Sequence, residues 1–305
     1  MSITLIAVVI ALLIGHSMPA LVALRRYDWF IRWLEWLAAQ LGDNSAWRGA
    51  GGMLFAIGPP LLLIALLQIA LRGDFYGFPA FVFALAALFY AWGPRDLDHD
   101  VEAVVNAADP VARRDAAARL FPDQVDPVLD GGSLVEAVFR CALWRWFGVL
   151  FWFLLLGPFG ALLYRLVSLC AQGEAKKRLP EAASQAARST LAFLDWPVAQ
   201  LMTLSLALVG NFDSVFAAWK DAGGAGYSGD TRFLAAAARA SVRSELADEA
   251  LDEVDTELGA DGGVAAVSRS VPGLPELRDA MSLVWRILLL WLAVLALFVI
   301  AGWVA

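Results

Sequence analysis

Long apolar runs separated by polar stretches dominate the chain. A bilayer-spanning helix needs about 20 consecutive, mostly apolar residues. The runs that approach this length are 3–24, 53–71, 77–92 and 283–305. The run 77–92 is short, but only a few polar residues separate it from the run before, so these two are predicted to form a hairpin. The pattern predicts an all-α, polytopic helical membrane protein with about four transmembrane helices in a single domain, 1–305.

The apolar run 141–171 is too long for one straight span and is interrupted by Gly157-Pro158. As a single crossing it would place the basic residues 176–178 on the opposite side of the membrane. As a re-entrant hairpin turning at 157–160 it would return them to the starting side. Glycine and proline are the residues that a chain reversal requires. The hairpin is therefore the favoured prediction, and the single crossing is the alternative.

A second broken segment is "LAFLDWPVAQLMTLSLALVG", residues 191–210. Asp195 followed by Trp196 and Pro197 is typical of a helix start, with a capping carboxylate and a proline in the first turn. This predicts a partly buried helix over 195–210, lying along the surface or packed under the hairpin. The alternative is that Asp195 is a catalytic carboxylate in a membrane cleft. Broken backbone at membrane depth must be buried or face water, so both segments predict a packed intramembrane site.

The polar stretches are also predicted to be helical. The Trp-rich stretch 25–42 has a broad apolar face and indicates an interfacial helix, or alternatively a partner-binding face. Asp109 and Pro110 have the residue types of an N-cap and first helical position. Residues 229–259 are Ala-rich and then acidic, and the acidic run is interpreted as a solvated face, with divalent-cation binding as the alternative. These segments complete a fold class with re-entrant or broken helices and cytoplasmic helical segments.

Composition supports a membrane protein and narrows its partners. The chain is 60% hydrophobic and 17% charged, whereas a soluble domain carries roughly a quarter charged residues. Its net charge of −7 argues against nucleic acid as a partner. The lipid bilayer is the partner that composition itself indicates. The arginines cluster in 25–50 and 94–140, which predicts that these segments lie inside and that both chain termini lie outside.

Few residues suggest chemistry. The sequence has no HExxH, GxSxG or phosphate-loop motif and only two histidines, so no metal, cofactor or catalytic residue is predicted. Cys141 and Cys170 show no ligand spacing and are interpreted as buried thiols. His16 lies within the first apolar run, where an ionisable residue is a functional hypothesis by default. Its alternative role is to hydrogen-bond a carbonyl freed by the nearby Pro19.

Two arginines within the run 141–171 require their own explanation. Arg145 and Arg165 would lie far from the tip of the predicted hairpin, near the cytoplasmic interface. There their long side chains can snorkel to water, which is the favoured prediction, or bind an anionic headgroup. Tyr164, which precedes Arg165, suits both interpretations.

Three stretches carry a family resemblance. They read "RCALWRWFGVLFWFLLLGPFGALLYRLVSLCA", "TLAFLDWPVAQLMTLSLALVGNFDSVFAAW" and, more weakly, "GYSGDTRFLAAAARASV". They resemble successive blocks of the AmpE family, and the order of an N-terminal anchor and a Trp-rich amphipathic helix is similar too. The resemblance covers essentially the whole chain, and its specificity is concentrated in residues 140–220.

The resemblance implies a bacterial inner-membrane protein that is linked to β-lactamase induction and cell-wall recycling. In such a membrane, the termini that the arginine distribution places outside would be periplasmic. It implies a cell-wall recycling amidase or a muropeptide-like ligand as a partner. The AmpE family shares a superfamily, and by implication a helical membrane fold, with the cobinamide-phosphate synthase of cobalamin biosynthesis. The polar elements of the synthase are replaced here by "LLIGHSMPALVAL", "EAVFRCALWRWFG" and "YRLVSLCAQ". Because the polar residues of the synthase are missing, the resemblance implies a non-catalytic regulatory protein.

Two other functions remain open on the sequence. One is a divergent synthase-like enzyme that uses Asp195, Asp213 and Glu136. The other is a transporter-like module, because discontinuous spans can line a substrate site, although the small number of spans argues against it. The candidate ligand or partner site comprises Asp195, Trp196, Pro197, Tyr164, Arg165, Arg145, Glu136, Asp213 and His16.

Overall fold

The computed structural model describes residues 8, 10–11, 25–42, 44–71, 78–93, 96–121, 129–227, 229–259 and 274–301, with side chains of the last acidic stretch described only to 248. Every regular element in these ranges is helical, which confirms the all-α prediction. Most of the predicted first span 3–24, including His16, lies outside the described residues, as does the turn 72–77.

Thirteen helices are described, numbered here in chain order. They are α1 Asp28–Leu41, α2 Ser45–Arg48, α3 Gly52–Ala70, α4 Phe78–Ala91, α5 Leu97–Val105, α6 Pro110–Ala117, α7 Gly131–Leu156, α8 Pro158–Ala171, α9 Gly173–Lys176, α10 Glu181–Val209, α11 Phe212–Asp221, α12 Arg232–Gly259 and α13 Pro275–Ile300.

Four of the described helices, α3, α7, α10 and α13, are long and apolar enough to cross a membrane. Four is also the predicted number of spans, although the predicted first span, 3–24, lies largely outside the described residues and is not among these helices. Helices α3 and α13 correspond to the predicted spans 53–71 and 283–305. Helix α4 has only 14 residues, about 21 Å at 1.5 Å per residue, which is shorter than the hydrocarbon core of about 30 Å. Helices α7 and α10, which were predicted as broken segments, provide the other two long apolar helices.

The predicted chain reversal at Gly157-Pro158 is confirmed. Gly157 has φ of +70°, a conformation that glycine adopts without strain, and Pro158 begins α8. Helix α8 then runs back along the second half of α7, so that Gly160 lies directly against the carbonyl of Trp152. Helix α7 is longer than the predicted arm, since it begins at Gly131 and continues through a π-helical turn over Leu143–Phe147.

Gln68 of α3 completes the turn of this hairpin. Its Nε2 donates to the carbonyl of Leu156 at 3.1 Å, and its Oε1 accepts from the backbone N–H of Phe159 at 2.9 Å. The end of one helix and the start of the next each leave backbone groups without partners inside the helix. In an apolar environment such groups must be satisfied by protein. One side-chain amide thus satisfies both sides of the reversal.

The predicted helix start at Asp195 is wrong. Helix α10 runs without interruption from Glu181 to Val209, and both Asp195 and Pro197 lie in its interior. An internal proline removes a hydrogen-bond donor and disturbs the preceding turn. Here the indole Nε1 of Trp152 donates to the carbonyl of Leu194 at 3.2 Å, just before that proline. A partner from α7 therefore supports the turn that the sequence pattern indicated as a helix end.

Helix α8 is buried on most of its surface. It packs against α3, α4 and the second half of α7, and most of its residues are buried, among them Tyr164, Arg165 and Ser168. Neighbouring helices cover nearly its whole circumference, so polar residues on this helix have no solvent-facing side on which to lie. The polar side chains of this helix must therefore find partners within the protein.

Contacts divide the chain into two compact units. Unit 1 comprises Met1–Asp96, Ala142–Ala199 and Leu289–Ala305, and unit 2 comprises Leu97–Cys141 and Gln200–Leu288. Helices α7, α10 and α13 each contribute residues to both units. The prediction of one domain, 1–305, stays a prediction beside these two groups of contacts.

Local contacts in each unit test two of the predicted helices, the interfacial helix α1 and the capped helix α6. In unit 1, Phe30, Leu34 and Leu37 form the buried face of α1, as the amphipathic pattern predicted. Glu35 on its exposed face pairs with Arg178 at 3.2 Å. In unit 2, Asp109 caps α6 by accepting from the N–H of Ala112 at 2.7 Å, which confirms the predicted cap.

We expect replacement of Gln68 by Leu to destabilise the hairpin by about 1–2 kcal/mol, because it leaves two backbone groups at the reversal without partners. Equilibrium unfolding of the purified protein in mixed micelles measures this change. Gln40→Leu, at an exposed position of α1, is the matched control. Equal stability of the two variants would show that the turn does not depend on Gln68.

Site-specific labelling tests whether the hairpin returns the chain to its starting side. Because Glu35 and Arg178 form an ion pair, single cysteines at Glu35 and Lys176 should react with a membrane-impermeant maleimide from the same side of sealed vesicles. Cys141 and Cys170 are buried and should react only after denaturation. Reaction of the two introduced cysteines from opposite sides would refute the hairpin arrangement.

Candidate functional site

Asp195 lies at the centre of a buried polar cluster in unit 1. Its Oδ1 accepts from the hydroxyl of Tyr164 at 2.6 Å, and its Oδ2 accepts from the indole Nε1 of Trp144 at 3.0 Å. Asp195 and Tyr164 are almost completely buried. The three side chains come from α10, α8 and α7, so the carboxylate ties three helices together. Both donors are neutral, and each satisfies one carboxylate oxygen.

The π-helical turn Leu143–Phe147 positions this cluster. A π turn widens the helix and frees carbonyl groups from the regular pattern, and such turns are frequent at functional sites. The hydroxyl of Tyr164 lies 3.5 Å from the carbonyl of Leu143, and the N–H of Gly93 donates to the carbonyl of Arg145 at 3.3 Å. The same turn carries Trp144, whose indole reaches Asp195. Residues of other segments therefore contact two carbonyls and one indole of the widened turn.

Gly148 makes room for the Tyr164 ring. A Cβ atom at this position would overlap the Cζ and hydroxyl of Tyr164. The absence of a side chain on this face of α7 lets the phenol pass between the helices to reach Asp195. The spacing of Gly148 and Tyr164 about the turn at Gly157 is what brings them opposite each other in the hairpin.

Arg165 points away from Asp195. Its Nε donates to the carbonyl of Ala91 at 2.7 Å, at the C-terminal end of α4. Two other residues serve the same helix end: the hydroxyl of Tyr27 donates to the carbonyl of Tyr90 at 2.6 Å, and Nη1 of Arg25 donates to the carbonyl of Gly93 at 3.2 Å. Cations at a helix C-terminus are favoured by the partial negative charge there. Side chains thus cap the end of the short helix α4.

Burial at this helix end shifts the pKa values of Tyr27 and Arg25, the two residues before α1 that bind it. Burial raises the pKa of the Tyr27 hydroxyl, so the group keeps the proton that it donates. Burial lowers the pKa of the Arg25 guanidinium, while Asp96 opposes that shift and Arg165 adds to it. Arg25 also lies over the ring of Phe89, 4.3 Å from its centroid. Nε and Nη2 of Arg25 and Nη2 of Arg165 have no hydrogen-bond partner among the described residues.

A separate cavity of about 850 Å³ opens in unit 1 between α1, α3 and α8. It is lined by Trp29, Arg32, Trp33, Pro59, Pro60, Leu63, Ile64, Tyr90, Leu162 and Leu166. The proline at 60 lacks the N–H that would pair with the carbonyl four residues earlier. That carbonyl, of Ala56, instead accepts from the indole of Trp33 at 3.0 Å. The tandem prolines therefore both shape the cavity and engage one of its aromatic walls.

The structure brings together some of the predicted site residues and separates others. Asp195 and Tyr164 are in contact, and Trp196 and Pro197 follow on the same helix. Arg145 lies in the π turn, half-buried beside Gly93. The prediction that Arg165 snorkels to water is wrong, since only 4% of it is exposed. Arg165 binds the C-terminal end of α4 inside the protein, whereas the prediction placed its guanidinium in water at the membrane surface.

The two remaining carboxylates belong to unit 2. Glu136 lies 3.3 Å from Arg140 and 3.8 Å from Arg239 in ion pairs. Asp213 is exposed in the first turn of α11, next to the Asn211 cap. Asp195 belongs to unit 1. Glu136 thus lies in ion pairs, Asp213 lies on an exposed helix start, and Asp195 lies in a buried hydrogen-bonded cluster.

Several residues that make polar contacts within unit 1 were not predicted from the sequence. Trp144, Gln68, Trp33 and Tyr27 were interpreted only as members of apolar or interfacial segments. One signal could have found the first two: a tryptophan or glutamine inside an otherwise apolar run needs a polar partner when it is buried. The identity of that partner depends on the helix opposite, which the periodicity of one segment does not show.

The chemistry of the cluster is that of hydrogen bonding. Asp195 accepts from two neutral donors and is closed off from solvent. In the part of the chain that the structure describes, no group of three His, Cys, Asp or Glu side chains could hold a metal ion. The chain matches no protein-family model, no characterised protein and no solved structure. The resemblance to the AmpE family thus stays a prediction from sequence.

A double-mutant cycle should measure the Asp195–Tyr164 hydrogen bond. We expect Asp195→Leu and Tyr164→Phe each to destabilise the protein by about 1–3 kcal/mol, and the double variant to be more stable than the sum predicts by about 1–2 kcal/mol. Chemical denaturation in mixed micelles provides the measurement. Asp213→Leu, which removes an exposed carboxylate, is the control. Strict additivity would mean that the two groups do not act as a pair.

Proposed function

We propose that this protein is a non-catalytic regulatory protein of the bacterial inner membrane that resembles the AmpE family and modulates β-lactamase induction. The observation that carries the proposal is the closure of the Asp195 cluster. Its carboxylate is engaged by Tyr164 and Trp144 at 2.6 and 3.0 Å and is buried from solvent. A general acid, base or nucleophile must come within hydrogen-bond reach of its substrate. In its described position this carboxylate supports packing.

The distribution of the resemblance supports the same conclusion. Its most specific region, 140–220, comprises most of α7, all of α8 and α10, and much of α11. Several polar residues of the first two blocks bind each other or backbone groups: Trp152 binds the carbonyl of Leu194, and Arg165 binds that of Ala91. Residues with such roles maintain helix packing. A regulatory membrane protein requires a defined packed state whose surfaces bind a partner.

The proposed partners follow from the resemblance. They are a cell-wall recycling amidase or a muropeptide-like ligand, acting at the membrane with both chain termini in the periplasm. The four long apolar helices support residence in a membrane. Under this proposal the cobinamide-phosphate synthase activity is absent, and Asp195 contributes to function through stability.

Genetic complementation tests the proposal. In a strain with an inducible β-lactamase and a deletion of the gene for this protein, we expect induction to change by several-fold and to return to normal with the unaltered gene. Asp195→Asn, produced at a level that compensates for any loss of protein, should restore it fully. Unchanged induction on deletion would refute the regulatory role.

A parallel assay separates the enzymatic alternative. A strain that lacks cobinamide-phosphate synthase requires a late cobalamin precursor for growth, and we expect the gene not to restore growth without it. Immunodetection of the protein in membranes provides the control. Growth that is abolished by Asp195→Asn would establish the synthase-like alternative instead.

A further inference from the structure

The cavity between α1, α3 and α8 has the size and lining of a binding site for an amphiphile. Its volume of about 850 Å³ falls in the range of about 300–1,000 Å³ that is common for small-molecule sites. Leu63, Ile64, Leu162 and Leu166 form aliphatic walls, and the aromatic residues and Arg32 lie on the side of α1 and of the end of α4. The two kinds of lining suit a molecule with an apolar chain and a polar head.

Two of the aliphatic lining residues, Leu63 and Ile64, lie on the long apolar helix α3. On α3, Leu62, Leu63 and Leu66 are each more than half exposed, at 61%, 59% and 56%. Helix α3 is one of the four that are long and apolar enough to cross a membrane. The aliphatic wall is therefore continuous with a surface that acyl chains would cover. Tryptophan and tyrosine prefer the headgroup level of a bilayer, which places Trp29, Trp33 and Tyr90 at that depth.

The polar atoms of the aromatic walls are already engaged by protein. Trp29 donates to the hydroxyl of Tyr90 at 2.6 Å, and that hydroxyl donates to the carbonyl of Arg26 at 2.9 Å. The indole of Trp33 donates to Ala56. These residues consequently present ring surfaces to the cavity. A sugar-rich or peptide-like ligand would need several polar partners, so this lining favours a molecule whose body is hydrocarbon.

Arg32 is the charged residue of the lining, and the described residues include no ion-pair partner for it. The two acidic residues of α1 pair with other arginines: Asp28 with Arg26 at 2.9 Å and Glu35 with Arg178 at 3.2 Å. Arg32 itself is exposed and donates from Nε to the carbonyl of Asp28 at 3.4 Å, a long bond that does not use its terminal nitrogens. Those nitrogens match the geometry of a phosphate group.

We propose that this cavity binds one anionic membrane phospholipid. An acyl chain lies against the aliphatic residues of α3 and α8, and the headgroup phosphate is bound by Arg32. Binding of an anionic lipid here would fill the space between α1 and α3 and fix the amphipathic helix to the membrane surface. This site is distinct from the Asp195 cluster and does not depend on the proposed regulatory role.

Photocrosslinking tests the site in the full chain. The protein is reconstituted in phosphatidylcholine vesicles with a trace of a probe that carries a photoreactive acyl chain and either a phosphatidylglycerol or a phosphatidylcholine headgroup. Peptide mass spectrometry then quantifies adducts on 59–64 and 162–166. We expect the anionic probe to label these peptides about five-fold more than the zwitterionic probe, which is the preference that about 1 kcal/mol from one arginine provides.

Two matched pairs of variants separate the headgroup contact from the cavity. Arg32→Gln should abolish the preference for the anionic probe, and Arg48→Gln, the same change outside the cavity, should retain it. Leu63→Trp should fill the cavity and reduce labelling by both probes several-fold. Leu62→Trp, on the neighbouring and equally exposed residue that does not line the cavity, should leave it unchanged.

Three outcomes would overturn the proposal. They are equal labelling by the two probes in the unaltered protein, unchanged labelling in Leu63→Trp, and displacement of the probe by a soluble muropeptide. The last result would assign the cavity to a cell-wall fragment instead. Monodisperse elution of every variant confirms that the comparison is made on folded protein, and both pairs change exposed residues.

Discussion

Backbone groups freed inside apolar helices constrain this structure more than any other feature. Where a helix is interrupted away from water, each freed carbonyl or N–H must find a partner within the protein. The indole of Trp33 provides such a partner for the carbonyl of Ala56, which Pro60 leaves free, and the indole of Trp152 binds the carbonyl of Leu194 in the turn before Pro197. Each bond joins two helices that are separate in the chain. The interruptions in one helix therefore determine which side chains its neighbours must carry.

The hairpin of α7 and α8 applies the same constraint at a reversal and at a widened turn. Gln68 satisfies both sides of the turn at Gly157. The π turn of α7 presents Trp144 to Asp195, and Gly148 leaves the space through which the Tyr164 hydroxyl reaches the same carboxylate. Polar residues that would be costly in an apolar interior thus become the contacts that align the helices. The cavity beside α1 differs, because Arg32 has an exposed guanidinium at its rim.

Prediction from the sequence succeeded where a local pattern is sufficient. The reversal at Gly157-Pro158, the cap at Asp109 and the buried face of α1 all follow from residues near one another in the chain. It failed where a distant partner changes the local preference. Asp195 and Pro197 resemble a helix start, yet α10 continues through them because Trp152 and Tyr164 supply hydrogen bonds from other helices.

The sequence is sufficient to predict an all-helical protein that is rich in apolar helices and interrupted at defined glycines and prolines, because these properties depend on composition and short-range geometry. The folded arrangement was needed to see that Arg165 binds the end of α4, that Asp195 joins three helices and that Arg32 borders an apolar cavity. A polar side chain in an apolar segment must have a partner, and this much the sequence shows. Which partner it has depends on the packing of helices far apart in the chain.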